Sequence, residues 1–255
     1  MKTIYLITAI LLLSGNSVLA VDDDYYLACK KSRSASAEER KSSVLFLVKS
    51  LDEAASGLRG QLLGYLQDFA PADFDAESRA ALVALLTKPN SPHYGKLVLL
   101  AGYLNIGRDE LYRQYMTPEL PVKRKWNLAL ALARTGDEKA LNYCLEKVKK
   151  APLDNQIVGY VLPDLLYTRQ KAAVDYCVKL LYNDEKHCRS ANPDSPEAIP
   201  CAYRIIELLS PLIIDFPVKV NPDIGLESDN YPETLQSVRD WLKAHPDYKI
   251  QNSHF

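Results

Sequence analysis

Val122–Lys149 reads VKRKWNLALALARTGDEKALNYCLEKVK, and its interpretation decides the fold. It divides into two helices folded back on each other at Thr135-Gly136-Asp137. The first, Lys123–Arg134, is rich in Ala and Leu. The second carries Leu141, Cys144, Leu145 and Val148 at helical spacing, one apolar stripe on an otherwise charged element. A single hairpin of this kind cannot bury its apolar faces alone, so neighbours of the same design are expected on either side.

They are present in both directions. Upstream, Lys96–Asn105 is strongly apolar, followed by Gly107-Arg108-Asp109 and a second helix through Tyr115; the two turn glycines are 136 − 107 = 29 residues apart. Downstream come Asp154–Thr168 and Lys171–Leu181. There Ala173-Val174-Asp175-Tyr176-Cys177-Val178 aligns with Ala140-Leu141-Asn142-Tyr143-Cys144-Leu145 at an offset of 173 − 140 = 33. Nearer the N-terminus, Ser36 and Glu39 have capping-box spacing ahead of Val44, Leu47, Val48 and Leu51 at i, i+3, i+4, i+7. A helix over Leu58–Phe69 stops before Pro71. Asp75 then caps another, with Leu82, Leu85 and Leu86 inward. Beyond the hairpins, Ala202–Ile213 reads as a helix and Ile214–Asn230, with Pro217, Pro222 and Gly225, as an extended surface segment. A last helix, Pro232–His245, turns Leu235, Val238, Trp241 and Leu242 inward and Gln236, Arg239, Asp240 and Lys243 outward, the polar exterior of a terminal cap.

An Ala/Leu-rich first helix, a Gly-Asp turn and a charged second helix with Ala and Leu inside resemble the HEAT and armadillo-like repeat families. Pro163, within Tyr160–Leu166, matches the proline habit of the HEAT first helix, and Pro211 looks like the same feature one repeat later. The resemblance is best over Pro92–Leu181. It implies an all-α fold, a right-handed α-solenoid of about five to six stacked hairpins spanning residues 36–255, with the capping helix at 232–245. It also implies that second helices form the concave face, which places Tyr112, Tyr115, Tyr143, Tyr176 and Tyr182 there as binding residues for a protein or peptide. Tyrosine suits that role, giving large contact area for little entropy. The two prolines are 211 − 163 = 48 apart, well beyond the local period, and the excess is an inserted loop at 184–201, rich in Pro, Ser and Asn.

Residues 1–20 read as a cleaved signal peptide of the compact bacterial kind: Lys2, the apolar run Ile4–Leu13, then Val18-Leu19-Ala20. The expected location is therefore periplasmic or secreted, with no membrane insertion after cleavage. Residues 21–35 form a partly ordered lead-in. The mature chain is 255 − 20 = 235 residues, with 31 − 1 = 30 basic against 32 acidic side chains. Such a balance lacks the basic footprint of a nucleic-acid binder.

Export makes disulfides stable, and the five cysteines include at least one that cannot pair within the chain. Cys188 and Cys201 bracket the insertion and are expected to be bonded. A metal site using His187 with both lacks the close paired spacings of zinc sites. Cys144 and Cys177 occupy equivalent positions on helices that stack about 8–10 Å apart, too far for a bridge that wants Cα atoms about 5.5–6 Å apart. They are expected to be buried thiols, leaving Cys29 as the odd one.

The four histidines show no metal or catalytic spacing, and ten scattered glycines leave little material for phosphate- or dinucleotide-binding loops, so no metal and no cofactor is implied. Sixteen tyrosines, fifteen of them in the mature chain, are the one compositional excess. The leading expectation is a non-catalytic, exported protein- or peptide-binding scaffold. The alternatives are an α/α-type enzyme or HEAT-like lyase with its site on the concave face, and a structural subunit of a cell-envelope complex.

Overall fold

The computed structural model describes residues 25–30, 36–189, 197–221, 225–226, 228, 230–252 and 255. The expected signal peptide, most of the lead-in and the tip of the insertion lie outside these residues. The described chain is mostly helical and groups into two compact units, divided between Gly107 and Arg108.

In the first unit a short helix, α1, covers residues 25–30. Helix α2 (Ala37–Ser50) opens with the expected capping box: Ser36 Oγ accepts from Glu39 N–H at 3.3 Å, and Glu39 Oε2 accepts from Ser36 N–H at 3.0 Å. Helices α3 (Ser56–Tyr65), α4 (Ala76–Leu86) and α5 (Tyr94–Leu104) follow. Asp75 caps α4 through Ser78 N–H at 2.8 Å. The two apolar stripes read from the sequence, Val44 to Leu51 and Leu82 to Leu86, are buried where α2 packs on α4. Arg79 binds three carbonyls, those of Phe74, Leu104 and Pro71, and so ties the ends of α4 and α5 to the loop before them.

The second unit contains α6 (Arg108–Tyr115), α7 (Val122–Arg134), α8 (Glu138–Lys149), α9 (Leu162–Tyr167), α10 (Lys171–Leu180), α11 (Ala202–Leu209) and α12 (Tyr231–Ala244). Helix α7 is central, packing against α6, α8 and α9. Leu128 through Ala133 are all fully buried, so α7 is covered on every side at this level. Its turn to α8 closes as a Schellman motif: Gly136 N–H reaches Ala133 O at 2.9 Å and Asp137 N–H reaches Leu132 O at 3.1 Å. Gly136 has φ 89°, and Asp137 then caps α8 by accepting from Ala140 N–H at 3.0 Å. The sequence paired Gly107 with Gly136; both are left-handed, at φ 64° and 89°, but they do not hold the same place in their turns. Helix α5 is closed by Asn105, at φ 52°, with Ile106 N–H reaching Ala101 O at 3.0 Å. Helix α9 is followed by Arg169 at φ 55°. The equivalent left-handed positions are therefore 105, 136 and 169, at spacings of 136 − 105 = 31 and 169 − 136 = 33.

The two prolines behave differently. Pro163 sits inside the helical run, where its missing N–H and bulky ring oppose regular α geometry. The chain accommodates it by widening at Ile157–Val161 into π-helix, with Leu162 N–H reaching back to Ile157 O. Pro211 is not a second such case. Helix α11 ends at Leu209, short of the expected Ile213, and Pro211 lies beyond its cap Ser210. In the insertion, Cys188–Arg189 and Ala198–Ile199 pair as a two-residue antiparallel ladder, closed by the Cys188–Cys201 disulfide with Cα atoms 4.9 Å apart. Both cysteines are buried, and Cys201 caps α11. Cys144 and Cys177 are buried free thiols, as read, and Cys29, half-buried and outside the disulfide, donates to Asp68 Oδ2 at 3.5 Å. On α12, Leu235, Val238 and Leu242 are buried, but Trp241 is only half covered, packing edge-on against Phe216 at 5.8 Å and stacking on His245 at 4.4 Å. Arg239, expected outward, is turned onto Leu181 O at 2.9 Å and pairs with Asp184, because the carbonyls that end α10 need donors.

Candidate functional site

Helix α6 carries Tyr112 and Tyr115 one turn apart, and α8, which starts on its Asp137 cap, carries Tyr143. Their first turns border an open cleft of about 640 Å³ lined by Arg108, Asp109, Tyr112, Arg113, Asp137 and Lys139, among others. Arg108 spans it, with Nη2 3.5 Å from Asp137 Oδ2. Both charge signs line the cleft in equal measure, a composition suited to polar contacts and not to one kind of ion.

Farther along the same pair of helices, Tyr115 and Tyr143 meet edge to face with ring centroids 6.2 Å apart. Both are half-buried. Lys125, from the first turn of α7, places Nζ 5.6 Å from each ring centroid, and Lys147, from the last turn of α8, lies 5.8 Å from that of Tyr143. Behind Tyr143 sits Cys144, whose thiol is pushed up to about 12 by burial and by the neighbouring Asp164. Burial raises the hydroxyls of Tyr115 and Tyr143 as well, reinforced at Tyr115 by Tyr143 and at both by Cys144. These groups stay protonated at neutral pH, so the pair offers hydrogen-bond donors and ring faces to a ligand.

Asp164 on α9 completes the cluster. Its Oδ2 accepts from Trp126 Nε1–H at 2.8 Å. Burial raises its carboxyl above the ordinary range, and the Trp126 bond and the Lys123 charge offset this in part. An acid raised in the native state makes folding most favourable when it is protonated. Stability is then lost as pH climbs from the ordinary aspartate range through the raised native value. Asp164→Asn keeps an oxygen for Trp126 and removes the charge. The variant is expected to melt above wild type at pH 7, with the gap closing as pH approaches about 4; melting curves across that range check it, and a gap independent of pH refutes it.

The five tyrosines read from the sequence are therefore not one continuous row. Tyr115 and Tyr143 come together, and Tyr112, 41% exposed, borders the cleft beside them. Among the described residues no ring pair joins Tyr176 or Tyr182 to this cluster. Tyr176 is half-buried on α10, where its neighbour Asp175 accepts from Tyr248 Oη–H at 2.6 Å and pairs with Lys171. Tyr182 is 54% exposed and lies against Arg239, 5.5 Å from the ring. Sequence reasoning missed Lys125, Lys147, Trp126 and Asp164. The lysines were within reach, because in an antiparallel hairpin the start of the first helix meets the end of the second. The Trp126–Asp164 contact depends on the register of α7 against α9 and leaves no signal in either segment.

Among the described residues no group of acidic, His and Cys side chains is arranged to hold a metal ion, and no helix is long and apolar enough to cross a membrane. Comparison with protein-family models, with curated proteins and with solved structures finds no match to this chain. The class defined by fold and site is that of an all-α protein of helical hairpins with one disulfide-closed insertion and a tyrosine–lysine cluster on its second unit.

Proposed function

We propose that this chain is an exported, non-catalytic scaffold of the HEAT/armadillo-like kind, a right-handed solenoid of helical hairpins that binds a protein or peptide along its second helices. The observation that carries this reading is the Tyr115–Tyr143 pair with Lys125 set over both rings: partly buried, hydrogen-bonding aromatic area contributed by consecutive second helices. The recurrence of left-handed helix closures at 105, 136 and 169 supports the repeat, and the buried Cys188–Cys201 bond supports an oxidising compartment.

A photo-crosslinking amino acid placed at Tyr112 or Tyr143 in the producing cell tests it, with Tyr231, 41% exposed on α12, as the control position. The expected result is a discrete adduct with one protein from Tyr112 and Tyr143 and none from Tyr231. Adducts of equal pattern from all three positions, or none from the first two, overturn the reading.

A further inference from the structure

Three basic residues, Lys123, Arg124 and Lys125, occupy the first turn of α7, which has no acidic side chain there and no side-chain cap at Pro121. The helix dipole disfavours cations at that end. Lys147 and Lys149 lie in the last turn of α8 and Lys150 caps it, where cations are favoured. Because α7 and α8 are antiparallel, all six residues gather at one end of the hairpin. Only Glu119 and Glu146 are acidic in the stretches 115–126 and 139–150. Glu146 is 3.2 Å from Lys149. Among the described residues Lys123, Lys125, Lys147 and Lys150 form no ion pair within 4.0 Å, although the half-buried Asp164 interacts with Lys123. A chain with nearly balanced charge thus concentrates an excess of positive charge beside its tyrosine pair, at a helix start where local stability argues against it. Local rules broken without structural return mark functional positions.

The same end carries exposed apolar surface. Val122 is 80% exposed and stands four residues before Trp126; Tyr160 is 70% exposed and stands four before Asp164. Val122 therefore lies about one helical turn before Trp126 on the same face of α7, and Tyr160 lies in the π-helical turn that precedes α9. Exposed apolar side chains together with lysines offer a peptide segment both apolar contact and charge.

We infer that the partner bound at this surface is an acidic peptide segment, whose adjacent carboxylates pair with Lys125 and Lys147 while its backbone crosses Tyr115 and Tyr143. This rests on the scaffold reading above and specifies the chemistry of its partner. An anionic membrane is the weaker fit. The α6–α8 seam that begins at the lysines ends in a cleft where Asp109, Asp137 and Glu138 balance Arg108, Arg113 and Lys139, so the positive charge does not extend over the broad face a membrane would cover.

Three fluorescein-labelled octapeptides provide the test: four consecutive glutamates flanked by Gly-Ser, and the same peptide with glutamines or lysines in their place. Fluorescence anisotropy with the whole mature chain should show the glutamate peptide binding at least about tenfold more tightly than the glutamine one, and weakening as salt rises from about 50 to about 300 mM. Lys125→Glu with Lys147→Glu should abolish the difference. Lys125→Ala with Lys147→Ala should reduce it, with melting curves confirming that both variants fold. Equal binding of glutamate and glutamine peptides, lost in Tyr143→Ala, overturns the acidic partner and leaves the tyrosine scaffold standing. No binding by any peptide, or binding only to vesicles of phosphatidylglycerol, overturns the inference as well, while the crosslinking experiment decides the scaffold separately.

Discussion

Leu128→Ala destabilises residues 108–255 by about 2–5 kcal/mol, and Ala131→Leu destabilises them by about 1–3 kcal/mol. The paired result is the informative one. Leu128 through Ala133 form six consecutive residues with no exposed surface, and α6, α8 and α9 all pack on the helix that carries them. A helix lying on a surface tolerates a larger side chain on its outer face. This one has no outer face between Leu128 and Ala133. Ala131 is an alanine because neighbouring elements come too close for anything longer, so the added methylenes must displace packed side chains. Truncating Leu128 instead leaves a cavity that rigid neighbours fill only in part. Val122→Ala, at an 80% exposed site on the same helix, should change stability by no more than about 0.5 kcal/mol. Urea titration followed by tryptophan fluorescence reads the second unit directly, since both tryptophans, Trp126 and Trp241, belong to it. Neutral behaviour of Ala131→Leu would contradict a helix enclosed on every side.

What could be read in the sequence was whatever is encoded within one element. Ser36 with Glu39, Asp75 and Asp137 announce helix starts because a capping side chain bonds its own first turn, and all three do so. The apolar stripes of α2 and α4 are buried because helical periodicity alone decides which face is inward. Some misreadings are of local helix closure and others concern partners chosen elsewhere in the chain. Gly107 looked equivalent to Gly136 by spacing and is itself left-handed at φ 64°, yet Asn105 is the residue that closes α5, a role asparagine shares with glycine. Arg239 looked like surface charge because it falls on the polar side of α12, but the carbonyl of Leu181 claims it. The candidate site divides in the same way. That tyrosines recur on second helices was legible. That Tyr115 and Tyr143 share one lysine while Tyr176 and Tyr182 go elsewhere depends on the loops that set each helix beside the next. The two-residue ladder of the insertion was likewise invisible, since Cys188–Arg189 and Ala198–Ile199 are too short to show alternation.

Cys188→Ser with Cys201→Ser lowers the stability of the second unit by about 3 kcal/mol, or its Tm by roughly 6–12 °C. The bond closes 13 residues of sequence, and cross-linking a loop of that size removes conformations from the unfolded chain that folding would otherwise have to exclude. The native side contributes in the same direction. Both sulfurs are fully buried, Cys201 starts α11, and Arg189 beside the first cysteine is held by Asn155, whose Oδ1 accepts from the Arg189 N–H at 3.0 Å and from Arg204 Nη1–H at 3.2 Å. Replacing the bond with two hydroxyls buries polar groups at that junction and frees the start of α11. Dithiothreitol should therefore bring wild type down to the melting temperature of the double variant and leave the variant unmoved. Thiol titration in denaturant supplies the count: three reactive thiols per unreduced chain, Cys29, Cys144 and Cys177, rising to five after reduction. In the native state Cys144 and Cys177, both held near 12 by burial, should resist alkylation until the second unit unfolds. The rate of their modification, measured with and without the disulfide, then reports how far the bond holds α8 and α10 closed. Equal rates in wild type and the double variant would confine its effect to the insertion and contradict a loss shared by the whole unit.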